Sequence, residues 1–281
     1  MGREVGDIDV LSSHFIQMSK YDVETDFLSL EPIADIDLLP TVFERFDSEN
    51  HGVAFWGNQS GIAYDSNRID EADLPQTMDE LEAFMAENPN GFGVNDPSMG
   101  GSGQSFIQSV VRDQTGTGDY FDGESVQSKL DDMEAAFTWL EEQPITWTGS
   151  NADSLTRLND GEFLLVPAWE DQLAGLQREG ELGANLSIYI PEFGMNGGKN
   201  LVSIPANAEN PAAAMVFIDW LTSADTQSAL NETFGSAPQH PDASDAFALI
   251  DNSQRANSTE WFSVTYTDFL VETVTERVVG G

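Results

Sequence analysis

The sequence lacks cysteine altogether and holds very little base. The missing thiols remove disulfides, thiolate catalysis and cysteine-zinc sites in one step, and leave the redox compartment open. Lysine and arginine together number 11 against 49 acids, a net charge of −38. That is about one uncompensated negative charge for every seven residues. Only three of the bases are lysines, Lys20, Lys129 and Lys199. So few cations argue against nucleic acid or an anionic membrane surface as partner. Long hydrophobic runs are also missing, so no membrane helix is expected. The start, Met1-Gly-Arg-Glu-Val-Gly-Asp7, has no apolar signal-peptide core.

Hydrophobic residues nevertheless make up 40% of the chain. The acids are dispersed, with no run longer than two, as at Asp131-Asp132. A folded protein with acid spread over its surface is therefore expected, not a disordered tail. Such a surface repels itself until salt screens it, which points to a halophile. Four Asn-x-Ser/Thr sequons, at Asn58, Asn185, Asn231 and Asn257, stand against roughly two or three expected by chance and are weak evidence for a surface protein.

Strand-like and helix-like segments alternate, so the expected fold class is α/β. Strands are expected at Ile8–Leu11, Val53–Trp56, Ile62–Tyr64, Phe163–Ala168, Leu186–Ile190 and Leu201–Ile204. The polar tetrad Gly57-Asn-Gln-Ser60 reads as a turn between the second and third. Thr77-Met-Asp-Glu80 is a capping box opening a helix that Pro89 ends. A second helix is expected from Ser125, with Val126, Leu130, Met133, Phe137 and Leu140 on one stripe. Asn210-Pro211 reads as N-cap and first turn of another, with Met215, Ile218 and Leu221 inward. A short helix restarts at Thr222–Asp225 and closes at Gly235. A last helix is expected from near Ser258 to Val279.

Catalytic signatures are sparse. Histidine occurs at His14, His51 and His240 only. Gly101-Ser-Gly-Gln-Ser105 fails the nucleophile-elbow pattern at its last position. Gly197-Gly-Lys-Asn200 lacks the glycine and hydroxyl of a phosphate loop. No His-x-x-x-His spacing suggests a metal, and the five tyrosines are isolated. Carboxylate pairs say little, because 49 acids place some side by side by chance.

Binding signatures are better. The Gly-rich segment Asn95–Ser105 leads into a helix whose apolar face is Phe106, Ile107, Val110 and Val111. A helix start with glycines and hydroxyls can receive a polar group, or Ser102 can simply cap it. Trp56 and Trp169 each end a strand and precede polar residues, a place where a ring can stack on a solute or pack in a core. Glu170 and Asp171 follow Trp169 and would favour a cation if they faced it, or form a solvated face if not.

The order of these pieces resembles the solute-binding proteins of ABC transporters. Tyr64-Asp65 followed by Pro75-Gln-Thr-Met-Asp-Glu-Leu81, with Met78 in place of the usual Trp, resembles the family's crossing segment. Gly101-Ser-Gly103 is similar to its Gly-Ser turn, and Asp160-Gly-Glu162 before Trp169 to its Gly-Glu-apolar-Trp segment. The run from Asn200 through Pro205, Asn210-Pro211 and Phe217-Ile-Asp-Trp-Leu221 to Gln227 is the most specific. Within the family, the thiamine- and polyamine-type branch is the most similar. The resemblance implies a two-lobed fold of the type II periplasmic-binding-protein class. Lobe 1 would be 1–60 and 191–240, lobe 2 61–190, with helices of 241–281 packed back. It implies a small polar solute held between the lobes and handed to a permease with its ATPase. It also implies a monomer, no cofactor, no covalent chemistry, and a cell-surface position with a lipoprotein anchor. The implied contacts are Ser13, Trp56, Asn58, Ser102, Gly103, Trp169, Glu170 and Asn200. Family members carry a signal and a βαβ unit ahead of the Gly6-Asp-Ile-Asp-Val10 strand, so the first lobe is expected to be N-terminally incomplete. A secreted carboxylate-dependent glycosidase and a non-functional truncated copy stay open as alternatives.

Overall fold

The computed structural model describes residues 5–121, 127–251 and 253–280. Its strands are β1 (Leu11–His14), β2 (Val42–Phe43), β3 (Phe46–Asp47), β4 (Val53–Asp65), β5 (Gly93–Asn95), β6 (Thr146–Thr148), β7 (Leu165–Trp169), β8 (Leu186–Tyr189), β9 (Met195–Ser203) and β10 (Ser258–Thr259). Its helices are α1 (Phe15–Met18), α2 (Val23–Asp26), α3 (Met78–Glu87), α4 (Gly101–Thr115), α5 (Gln127–Asp132), α6 (Glu134–Glu142), α7 (Asn151–Asn159), α8 (Glu170–Arg178), α9 (Pro211–Thr222), α10 (Ala224–Phe234) and α11 (Val264–Val274). Strands and helices alternate through most of the chain, as an α/β fold requires.

The chain divides into two compact units. Unit 1 is Met1–Asn58 with Gly198–Ala248, and unit 2 is Gln59–Gly197 with Leu249–Gly281. The backbone passes from one to the other inside β4, inside β9, and after Ala248.

In unit 2 the second half of β4 pairs antiparallel with β7 (Gly61 opposite Ala168) and with β8 (Ala63 opposite Ile188). Parallel β5 and β6 form a small companion sheet. Helix α4 covers this sheet system with Phe106, Ile107, Val110 and Val111, all buried, as its apolar spacing predicts. Phe92, Phe137, Phe163, Leu165 and Tyr266 fill the rest of one continuous core. Helix α3 begins as expected. Thr77 Oγ1 accepts the Glu80 N–H at 3.2 Å, and the Glu80 carboxylate accepts from Gln76 N at 2.7 Å and Thr77 N at 3.2 Å. These donors favour the ionised form and hold the Glu80 carboxyl below its ordinary range.

In unit 1, β1 runs antiparallel to the far half of β9, with Ser13 opposite Leu201 and His14 opposite Asn200. A smaller core forms from Leu30, Ile33, Leu39, Val53, Val202, Ile204, Ala214, Ile218 and Leu221. Ile218 and Leu221 are the inward residues expected of α9. Gly235 ends α10 in the left-handed region at φ 71°.

Several expectations need correction. The first strand sits later than Ile8, at Leu11–His14. Gly57–Ser60 is not a turn; β4 runs through it unbroken for 13 residues. Its polar side chains have partners that keep the strand going: Gln59 Nε2 donates to Met195 O at 3.1 Å and Ser60 Oγ to Asn196 O at 2.8 Å. Gly57 meanwhile exchanges backbone hydrogen bonds with Ala237. The helix expected from Ser125 is two helices parted at Met133; Ser125 and Val126 themselves lie outside the described residues. The last helix starts at Val264, because Ser258–Thr259 pair with β9 instead. Asn210 does not cap α9 with its side chain; Nδ2 donates to Asp9 Oδ2 at 3.0 Å.

Candidate functional site

The expected contacts fall into two sets, one in each unit. In unit 2, α4 starts at Gly101 behind an N-cap glycine, Gly100, so no side chain caps it and its first turn carries no acid. Ser102 is therefore not the cap. It is fully buried, and its Oγ lies 2.6 Å from Asn95 Oδ1 and 2.9 Å from Asn151 Oδ1. Asn95 Nδ2 in turn donates to Gly100 O at 3.2 Å, and Asn151 Nδ2 to Gln172 Oε1. This amide-hydroxyl cluster fixes the Gly-rich loop. Gly103 packs so closely on β5 that a Cβ there would collide with the Asn95 carbonyl oxygen.

Trp169 leans over this helix start. A Cβ on Gly101 would lie 2.9 Å from the edge of its ring. Trp261, not among the expected contacts, stacks beside it with centroids 6.3 Å apart and planes at 23°. Trp261 Nε1 donates to Gly197 O at 2.5 Å, which fixes its ring. Glu170 turns elsewhere. It is buried, and its carboxylate accepts from Arg255 Nη2 at 3.0 Å and from the N–H groups of Leu249 and Ile250 at 2.8 and 2.9 Å. That pair secures the chain where it re-enters unit 2.

In unit 1, antiparallel partners share a face of the sheet. His14 and Asn200 therefore lie on one face of β1–β9, and Ser13 with Leu201 on the other. Asn58 joins the His14 face: a Cβ on Gly198 would come within 2.5 Å of His14 Nε2 and 2.7 Å of Asn58 Oδ1. Asn58 Oδ1 and, across the sheet, Ser13 Oγ are buried oxygens without a hydrogen-bond partner. Such atoms are uncommon and demand an explanation. Burial pushes the His14 imidazole down to about 4, so it is neutral at physiological pH. Trp56 packs its ring on Phe234, 5.6 Å between centroids, and on Phe55.

The structure thus gathers Ser102, Gly103 and Trp169 in unit 2, and Asn58 and Asn200 in unit 1. It separates Ser13 from the latter pair and directs Glu170 to Arg255. Trp261 and His14 were missed. His14 directly follows Ser13 at the strand end, a position that could have marked it. Chemically, the unit 2 set offers the Trp169 indole and an uncapped helix start, which suit reversible binding of a small polar molecule. Among the described residues, no three His, Asp or Glu side chains group as a metal site.

The family model for bacterial extracellular solute-binding proteins matches residues 3–257. The chain belongs to that family. Solved structures share its fold. The iron-bound HitA of Pseudomonas aeruginosa is 18% identical at a TM-score of 0.71, over 96% of this chain and 83% of that one. The spermidine/putrescine ABC transporter substrate-binding protein PotD of Streptococcus pneumoniae is 15% identical at 0.69, over 96% and 83%. The substrate-binding protein of an ABC transporter from Agrobacterium tumefaciens is 17% identical at 0.65, over 96% and 78%. No curated protein matches the sequence. As an extracellular solute-binding protein the chain is of a kind that binds a small molecule outside the cytoplasm. No helix among the described residues is long and apolar enough to cross a membrane.

Proposed function

We propose that this chain is the capture component of an ABC import system, binding a small polar solute and presenting it to a membrane permease and its ATPase. The observation that carries this reading is the family match over residues 3–257. The two compact units stand for the two lobes of the family. Trp169 supplies the stacking surface in unit 2, next to the start of α4, with the buried Trp261 ring packed behind it. Asn58, Asn200 and His14 supply hydrogen-bonding groups in unit 1, and an unsatisfied Asn58 Oδ1 suits a donor on the solute. Binding needs no covalent step, and nothing in the geometry favours the glycosidase alternative. A lipoprotein anchor at the cell surface and a salt-rich, haloarchaeal setting complete the proposal; the charge of −38 supports the latter.

A thermal-shift screen in 3 M KCl tests the reading, with spermidine, putrescine, thiamine, ferric ion and neutral sugars as probes. Solute at a hundred times its dissociation constant adds about 2.7 kcal/mol of apparent stability. A saturable shift with the solute recovered intact supports capture. Turnover of any probe to a product overturns it.

A further inference from the structure

Unit 2 hides its large apolar side chains almost completely. Among its described residues only two of them stand out in solvent, Met99 at 63% exposure and Leu249 at 37%. Single hydrophobics scattered over a surface need no explanation. These two are not scattered, because both neighbour the half-buried Trp169. Met99 lies two positions before Gly101, the residue over which the Trp169 ring leans. That spacing keeps their Cα atoms within about 7 Å of each other. Leu249 donates its N–H at 2.8 Å to Glu170, the residue after Trp169. The turn that carries Met99 is tied down on both sides. Asp96 Oδ1 accepts the Ser98 N–H at 2.8 Å and the Ser98 hydroxyl at 2.7 Å, and Met99 N donates to Asp96 O at 2.9 Å. Gln104 Nε2 reaches back from α4 to Pro97 O at 2.8 Å.

An apolar side chain held in water by a fixed turn gains when an apolar group covers it, and a fixed turn lowers the entropy that covering costs. The acid beside Trp169 does not compete for the same place, because the Glu170 carboxylate is buried and held by Arg255 and the N–H groups of Leu249 and Ile250. We propose, resting on the capture reading above, that Met99 is a solute contact: with Trp169 and Leu249 it lines an apolar end of the unit 2 site, and the solute presents to it an aromatic ring or a terminal hydrocarbon group. The flat indole suits stacking, and the soft, unbranched thioether of Met99 adapts to either kind of group. The polar part of the same molecule then lies toward the start of α4, where backbone N–H groups are open. A wholly polar solute, such as an unsubstituted sugar, leaves Met99 in water and gains nothing from it.

The test dialyses the full chain in 3 M KCl against a small-molecule extract of its own cells and identifies the retained compound by mass spectrometry. That compound should carry an aromatic ring or a terminal hydrocarbon group. Met99→Ser should retain at least about fivefold less of it, and Met99→Leu about as much as the wild type, with circular dichroism confirming each fold. Val216→Ser, an exposed site in unit 1, should change nothing. A second measurement needs no variant. Met99 is the one exposed methionine among the described residues, so dilute hydrogen peroxide converts its thioether to the sulfoxide first. The retained compound should slow that oxidation at least about threefold. A wholly polar compound, equal retention by a folded Met99→Ser chain, or oxidation of Met99 at an unchanged rate overturns the inference while capture stands. Retention of nothing by the wild type, or release of a chemically altered compound, overturns the capture reading and this inference with it.

Discussion

Unit 2 and unit 1 solve the same problem with different thoroughness. Unit 2 encloses a large core in which α4, α6, α7 and α11 surround the sheet, and one group of its buried serines is hydrogen-bonded in series. Ser60 Oγ lies 2.7 Å from Ser105 Oγ, which accepts the Asn196 N–H at 2.8 Å, and Ser109 donates to Gly194 O. Unit 1 has a small core and most of the exposed large apolar side chains; buried oxygens without a hydrogen-bond partner occur in both units, at Ser13 and Asn58 in unit 1 and at Tyr120, Asn196 and Thr259 in unit 2. The difference teaches that the two units contribute differently to the whole. Unit 2 holds the larger core, and unit 1 leaves in solvent apolar side chains of the kind unit 2 encloses.

The contrast can be broken by substitution. Phe106→Ala in the unit 2 core should cost about 3–5 kcal/mol, measured by denaturant unfolding in molar salt. A loss below about 1 kcal/mol would make the core loose rather than close-packed. Arg255→Ala leaves the buried Glu170 carboxylate to backbone donors alone and should cost about 3 kcal/mol. An effect near zero would show the pair to be solvated.

His14 sharpens the comparison through pH. The unfolded chain takes up this proton near 6.5 and the folded one near about 4. Between those values the unfolded state binds more protons, so stability rises with pH, by about 1.4 kcal/mol per unit. His14→Gln should flatten that part of the profile of melting temperature against pH; an unchanged slope would assign it to other groups. Thr77→Ala removes half of the capping box and should cost about 1 kcal/mol. Phe217→Ser, on the open face of unit 1, should change stability by no more than about 0.5 kcal/mol. A loss of 2 kcal/mol or more there would mean that the face is already covered within one chain.

Local signals were legible wherever a residue acts through its neighbours in sequence. The capping box at Thr77, the apolar stripe of α4, Pro211 at the start of α9 and Gly235 at the end of α10 all follow from short-range rules. What escaped the sequence depends on partners far away. Gly57–Ser60 reads as a turn until Ala237, Met195 and Asn196 are known to satisfy it. Ser258–Thr259 reads as helix until Met195 and Asn196 pair with it. In the candidate site, Trp169 beside the Gly-Ser helix start could be anticipated. Trp261 could not, because it reaches Trp169 from 92 positions away in the chain. Nor could the occupation of Glu170, since Arg255 and the Leu249–Ile250 backbone come from a separate return of the chain.

Reversible capture is the claim on which the rest depends. The chain, stripped of small molecules under denaturing conditions and refolded in 3 M KCl, can be dialysed against a small-molecule extract of its own cells. Mass spectrometry then identifies what it retains. The expected result is one compound held at close to one per chain, released unchanged, and at least tenfold depleted when Trp169→Ala replaces the wild type. A compound released chemically altered, or equal retention by the variant and the wild type, would contradict capture at this site.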